Sequence, residues 1–103
     1  MTRIEQLKEF LKLNQKDSFL QHALALEYIK LNKEEEAKDL FESILENNPA
    51  YVGSYYHFAK LLDRIGKTDM AISIYQKGME VAKNANDLHT FNELKSAYEE
   101  LVY

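Results

Sequence analysis

Slid against itself by 34 residues, this sequence places large side chains on large ones and small on small. Leu7, Phe10, Leu11 and Asn14 fall on Phe41, Ile44, Leu45 and Asn48, while Leu24, Ala25, Tyr28 and Leu31 fall on Phe58, Ala59, Leu62 and Ile65. The same shift puts Asn32 and Lys33 on Gly66 and Lys67, Ala37 on Ala71, and Phe41 on Tyr75. A fixed period of this size means one small unit that cannot bury its own apolar face and must stack on copies of itself. Few other patterns restrict a chain so strongly.

Within the period the apolar residues recur at three and four positions, which predicts amphipathic helices. Thr2 with Glu5 has the spacing of a reciprocal N-terminal cap, so a helix over about Arg3 to Leu13 follows, with Ile4, Leu7, Phe10 and Leu11 on one stripe. Ser18 with Gln21 repeats that spacing and opens a second helix running to about Leu31, with Leu24, Ala25, Tyr28 and Leu31 facing inward. Asn32 suits the left-handed turn that ends it. Glu34, Glu35 and Glu36 then open a third helix, to about Asn47, where negative charge favours the positive end of the helix dipole. Pro49 cannot continue that helix and turns Asn48 out of helical geometry.

A fourth helix is expected from about Ala50 to Ile65, closed by Gly66, with Tyr55, Phe58, Ala59, Leu62 and Ile65 inward. A fifth starts at Thr68 or Asp69 and reaches about Asn84, with Met70 and Met79 as packing residues. Beyond it a shift of about 36 fits better, placing Tyr55, Phe58, Leu62 and Ile65 on Phe91, Leu94, Tyr98 and Leu101. The sixth helix, from Asp87 or Leu88 to Leu101, is therefore the fourth repeated with two residues inserted. Short connections require each helix to fold back on the one before.

Composition excludes several classes of work. Thirteen basic against 17 acidic residues give a net charge of −4, which argues against a general nucleic-acid binder, whose affinity rests on neutralising phosphates. With no cysteine there is no disulfide, thiolate site or thiol catalysis. No segment has the run of about 18 apolar residues that a membrane helix needs, and the opening residues lack a signal-peptide core, so no membrane association and a cytoplasmic location are expected. His22, His57 and His89 include no helical metal-site pair, no serine lies in a nucleophile elbow and no glycine-rich phosphate loop exists. No cofactor, no metal and no catalytic activity are expected.

The residues named above resemble the tetratricopeptide repeat, whose pattern runs W-x2-L-G-x2-Y, then A-x3-F, then P, with a period of 34. The first repeat matches at Leu24, Ala25, Tyr28, Ala37, Phe41 and Pro49, and the second at Tyr55, Phe58, Ala59, Leu62, Gly66, Ala71 and Tyr75. Gln21 departs from the pattern at the tryptophan position, which implies looser packing there, and Lys95 stands at the small position of the last helix, as suits a cap. The resemblance implies a small all-α domain of bacterial type with two and a half repeats. It implies antiparallel helix-turn-helix pairs stacked in a right-handed superhelix of about six helices. The boundaries expected are an N-terminal helix at 1–16, repeats at 17–50 and 51–84, and a capping helix at 86–103, all in one domain.

In that family the first helix of each pair lines a concave groove, and the domain works as a protein-binding scaffold or adaptor. Here the corresponding faces carry Phe19, His22, Leu26, Ile29 and Lys30 on the second helix and Tyr56, His57, Lys60, Asp63 and Arg64 on the fourth, with Asn92, Ser96, Glu99 and Glu100 on the last. The candidate peptide-binding residues are Phe19, His22, Leu26, Ile29, Lys30, Tyr56, His57, Lys60 and Arg64. Their basic and aromatic centre suggests an acidic or aromatic-acidic peptide, with Arg64 pairing a carboxylate at two points. The same charges also suit a merely solvated helical face. His22, Leu26 and His57 stand where a carboxylate clamp would place lysine or asparagine, so that variant of the site is not expected. So short a groove predicts micromolar binding by a monomer or weak homodimer. The competing reading is self-assembly, favoured if Ile4 and Phe10 are not used inside.

Overall fold

A computed structural model covers all residues 1–103. It contains six α-helices and no strand: α1 (Arg3–Leu13), α2 (Ser18–Lys30), α3 (Glu34–Asn47), α4 (Gly53–Arg64), α5 (Thr68–Asn84) and α6 (Leu88–Val102). They form two compact units, Met1–Pro49 and Ala50–Tyr103.

In the first unit α2 packs against both α1 and α3. The expected cap of α1 is present: Thr2 Oγ1 accepts from the Glu5 amide at 3.1 Å, and Glu5 Oε1 accepts from the Thr2 amide at 3.3 Å. The cap of α2 is not the Ser18–Gln21 pair. Asp17 Oδ1 accepts from the Leu20 amide at 2.9 Å instead, and a carboxylate answers the positive helix end better than a hydroxyl does. Ser18 and Gln21 are thereby released to join helices. Asn48 Nδ2 donates to Ser18 Oγ at 3.2 Å, and buried Gln21 donates from Nε2 to Ser43 Oγ at 3.1 Å and to the Gln15 carbonyl at 3.2 Å. Leu7, Leu24, Ala25, Tyr28, Ala37, Phe41 and Ile44 are buried.

Leu31 is 54% exposed rather than inward, because it is the C-terminal cap of α2 and the chain reverses immediately after it. That reversal is a Schellman motif: Asn32 adopts φ 58°, its amide donates to Ile29 O at 3.0 Å, and the Lys33 amide donates to Tyr28 O at 2.9 Å. The same turn recurs twice in the second unit. Gly66 takes φ 85° with Lys67 N to Leu62 O at 2.8 Å, and Asn86 takes φ 58° with Asp87 N to Ala82 O at 2.9 Å.

In the second unit α5 packs against both α4 and α6, and α4 also touches α6. Helix α4 begins at Gly53, three residues later than the apolar pattern indicates. The amides of Ser54 and Tyr55 bond the carbonyls of Tyr51 and Val52 at 3.2 and 3.3 Å, a tight entry turn that uses up the residues after Pro49. Tyr55, Phe58, Ala59, Leu61, Leu62, Ala71, Tyr75, Ala82 and Leu94 are buried. Met70 is not a packing residue: it sits in the first turn of α5, 44% exposed. Gly78 sets the approach of the three helices, since a Cβ there would stand 2.6 Å from Tyr55 Cβ and 3.0 Å from Leu94 Cδ1. Asp87 caps α6 by accepting from the Thr90 amide at 3.1 Å and its hydroxyl at 2.8 Å, and these bonds lower the carboxyl pKa.

Candidate functional site

The α4–α6 contact leaves an open groove of about 410 Å³ within the second unit. Helix α4 contributes Tyr56 and Lys60, and α6 contributes His89, Asn92, Glu93, Ser96, Ala97 and Glu100. The positions on α6 advance by three or four, so one stripe of that helix forms a whole wall. Their backs are held by the core: Leu94 and Ala97 are buried, and α6 is drawn close because Gly78 leaves room for Leu94.

The charges in this groove are arranged by wall. Lys60 Nζ lies over the ring of Tyr56, 5.6 Å from its centre, where the negative ring face attracts it. On α6, His89 Nε2 stands 3.9 Å from Glu93 Oε2, while the Glu100 carboxylate makes neither a hydrogen bond nor an ion pair. Half-buried His57 lies beside the groove, its ring edge-on to that of Tyr56 at 5.6 Å. Burial lowers the His57 pKa, against a smaller opposite pull from Glu93. Tyr75, buried in the same unit, is pushed up to about 12, chiefly by burial and less by Tyr56, Asp63 and Glu100. No three His, Cys, Asp or Glu side chains gather as a metal site.

Of the candidate residues on α4, Tyr56 and Lys60 line the groove and His57 and Arg64 do not; of the face expected on the last helix, Asn92, Ser96 and Glu100 line it and Glu99 does not. The stripe of α6 also brings in His89, Glu93 and Ala97, which the sequence reading passed over. Their spacing from Asn92 and Ser96 was the available signal. Phe19, His22, Leu26, Ile29 and Lys30 belong to the first unit. There Phe19 is exposed, Leu26 and Ile29 are half-buried, Lys30 pairs with Glu27 at 3.0 Å, and His22 packs edge-on against Phe41 with ring centres 5.8 Å apart.

The sequence model described as the tetratricopeptide repeat matches residues 20–51 and 52–84, more than half of the chain. The chain belongs to the tetratricopeptide repeat family. A solution structure of a tetratricopeptide repeat domain protein from Salinibacter ruber is 39% identical, with a TM-score of 0.81 over 84% of this chain and 88% of that one. A crystal structure of the Salinibacter ruber tetratricopeptide repeat domain protein is 40% identical, with a TM-score of 0.79 over 82% of this chain and 94% of that one. The fold extends further: a Bordetella parapertussis protein only 20% identical superposes with a TM-score of 0.83 over 98% of this chain and 88% of that one. The all-α, repeat-built architecture expected from the 34-residue period is the one found, and its general work is protein interaction. No helix is long and apolar enough to cross a membrane.

Proposed function

We propose that this tetratricopeptide repeat domain is a non-enzymatic cytoplasmic adaptor that binds a short peptide segment of a partner protein along α4 and α6. The observation that carries the reading is the open groove itself. Its volume of about 410 Å³ lies in the range of ligand sites, and it combines an aromatic ring, two neutral hydrogen-bonding side chains and charges of both signs. Tyr56 supplies contact area at little entropic cost, and Asn92 and Ser96 supply hydrogen bonds to a peptide backbone. The test is a nitrogen-15 amide titration with short peptides of acidic, neutral and basic sequence. A micromolar ligand that shifts the amides of Asn92, Ser96 and Ala97, and is lost in Tyr56→Ala, is the expected result; shifts confined to other helices would rule the groove out.

The remaining candidates are a separate proposal within each unit, Phe19, His22, Leu26, Ile29 and Lys30 in the first and His57 and Arg64 in the second, and they do not carry the reading. An acidic or aromatic-acidic ligand is what Tyr56, Lys60 and Arg64 suggest for α4 taken alone. Against α6, however, one ammonium faces two carboxylates.

Self-assembly is the second reading, and α1 favours it. Phe10 is 56% and Leu13 83% exposed, and Ile4 is only half-buried, so part of the apolar residue set of this helix is not used inside. Light scattering at two well-separated concentrations decides: a mass that climbs from 12.1 kDa in the natural chain but not in Leu13→Glu supports a homodimer through α1.

A further inference from the structure

Resting on the groove reading above, we infer that the ligand is a basic peptide in the polyproline II conformation, with arginine or lysine at every third position. The occupant's charge follows from the α6 wall. Glu93 and Glu100 both line the groove, and Glu100 has no hydrogen-bond or ion-pair partner of its own. The single ammonium opposite, that of Lys60, is drawn over the ring of Tyr56. A cationic side chain entering along α6 therefore meets an exposed carboxylate that no cation of the chain pairs with, and Arg would meet it at two points.

The occupant's conformation follows from spacing. Glu93 and Glu100 lie seven residues apart on α6, about 10.5 Å along the helix axis. A β-strand repeats its face at about 6.7 Å or 13 Å, which matches neither carboxylate when it is registered on the other. A polyproline II segment returns to the same face after three residues, about 9.3 Å, close enough for flexible arginines to close the gap. A ligand helix also returns after seven residues, but its backbone groups are bonded internally and would leave Asn92 and Ser96 no peptide group to bond. Polyproline II peptides leave their backbone groups unbonded, and Asn92 and Ser96 stand in the same wall to bond them.

The probes are three fluorescein-labelled peptides with blocked ends: Arg-Pro-Pro-Arg-Pro-Pro, its variant with both arginines replaced by glutamate, and Arg-Pro-Arg-Pro-Pro-Pro. Anisotropy is measured with the full chain. The first should bind in the micromolar range, the third about two- to fivefold more weakly, and the acidic one least. Glu100→Lys should weaken the first peptide by tenfold or more, whereas Glu99→Lys, an exposed residue of the same helix outside the groove, should leave it within about twofold. Equal losses in the two variants would reduce the effect to net charge and overturn the inference. An acidic peptide that binds best and is lost in Tyr56→Ala would keep the groove and refute its basic preference. A basic peptide whose binding ignores Tyr56→Ala and Glu100→Lys would refute both readings, as would the absence of binding by all three.

Discussion

Two glycines of the second unit do different physical work, and the same substitution separates them. Gly66 has φ 85° and nothing within 4 Å of where a Cβ would sit, so Gly66→Ala meets only the backbone cost of the left-handed region, about 1–2 kcal/mol. Gly78 sits in ordinary helix, where alanine is intrinsically better by about 1 kcal/mol, but its new Cβ would stand 2.6 Å from Tyr55 Cβ. Overpacking then outweighs propensity, and Gly78→Ala should lose about 1–3 kcal/mol in chemical denaturation. The mechanisms are told apart by a second change. Gly66→Asn should recover part of the loss, as Asn32 and Asn86 already hold φ 58° in equivalent turns, whereas Gly78→Ser should recover none.

Tyr75 adds a pH dependence at the same scale. Burial raises its folded pKa from 10.0 to about 12, so the folded state keeps a proton that the unfolded state releases. The resulting stability is fully present below pH 10.0 and is lost as pH rises toward about 12. Urea midpoints measured across that window should fall in the natural chain and fall less in Tyr75→Phe.

At the scale of elements, the alanines are where the helices cross. Ala25 and Ala37 in the first unit and Ala59 and Ala71 in the second are fully buried at the α2–α3 and α4–α5 contacts. Ala71→Leu should therefore cost about 1–3 kcal/mol by overpacking, while leucine at exposed Ser73, two positions along the same helix, should be nearly neutral. A small effect at Ala71 would mean that α4 and α5 do not cross there. These crossings were legible in the sequence because a helix repeats its face every 3.6 residues and a small residue on that face has few other uses. The stops were legible too, since Asn32, Gly66 and Pro49 each forbid continuation for a stated reason. The starts were less so. Asp17 and Ser18 can both cap α2, and which one does so depends on Asn48 claiming Ser18 from the end of α3. The groove was only half legible, because membership depends on how α4 and α6 cross. Glu99 and Glu100 read alike in the sequence, yet only Glu100 lines the groove.

For the whole molecule, the net charge of −4 acts on any ligand before contact is made. A basic peptide is attracted and an acidic one repelled, and both effects shrink as the screening length falls from about 10 Å at 0.1 M salt to about 3 Å at 1 M. The sign of the salt response therefore reports the ligand's charge independently of any mutation. Affinity for the arginine peptide should fall several-fold, roughly, between those salt concentrations, mainly through the association rate, while an acidic peptide's should hold or rise. Net charge alone cannot distinguish a long-range field from a local pair, but Glu99→Gln and Glu100→Gln alter it equally. If the carboxylate of Glu100 touches the ligand, its removal should speed dissociation as well as slow association, and the loss should persist at 1 M salt, where the field is screened to about 3 Å. If Glu100→Gln instead tracks Glu99→Gln at every salt concentration, the field alone accounts for the attraction and Glu100 makes no contact.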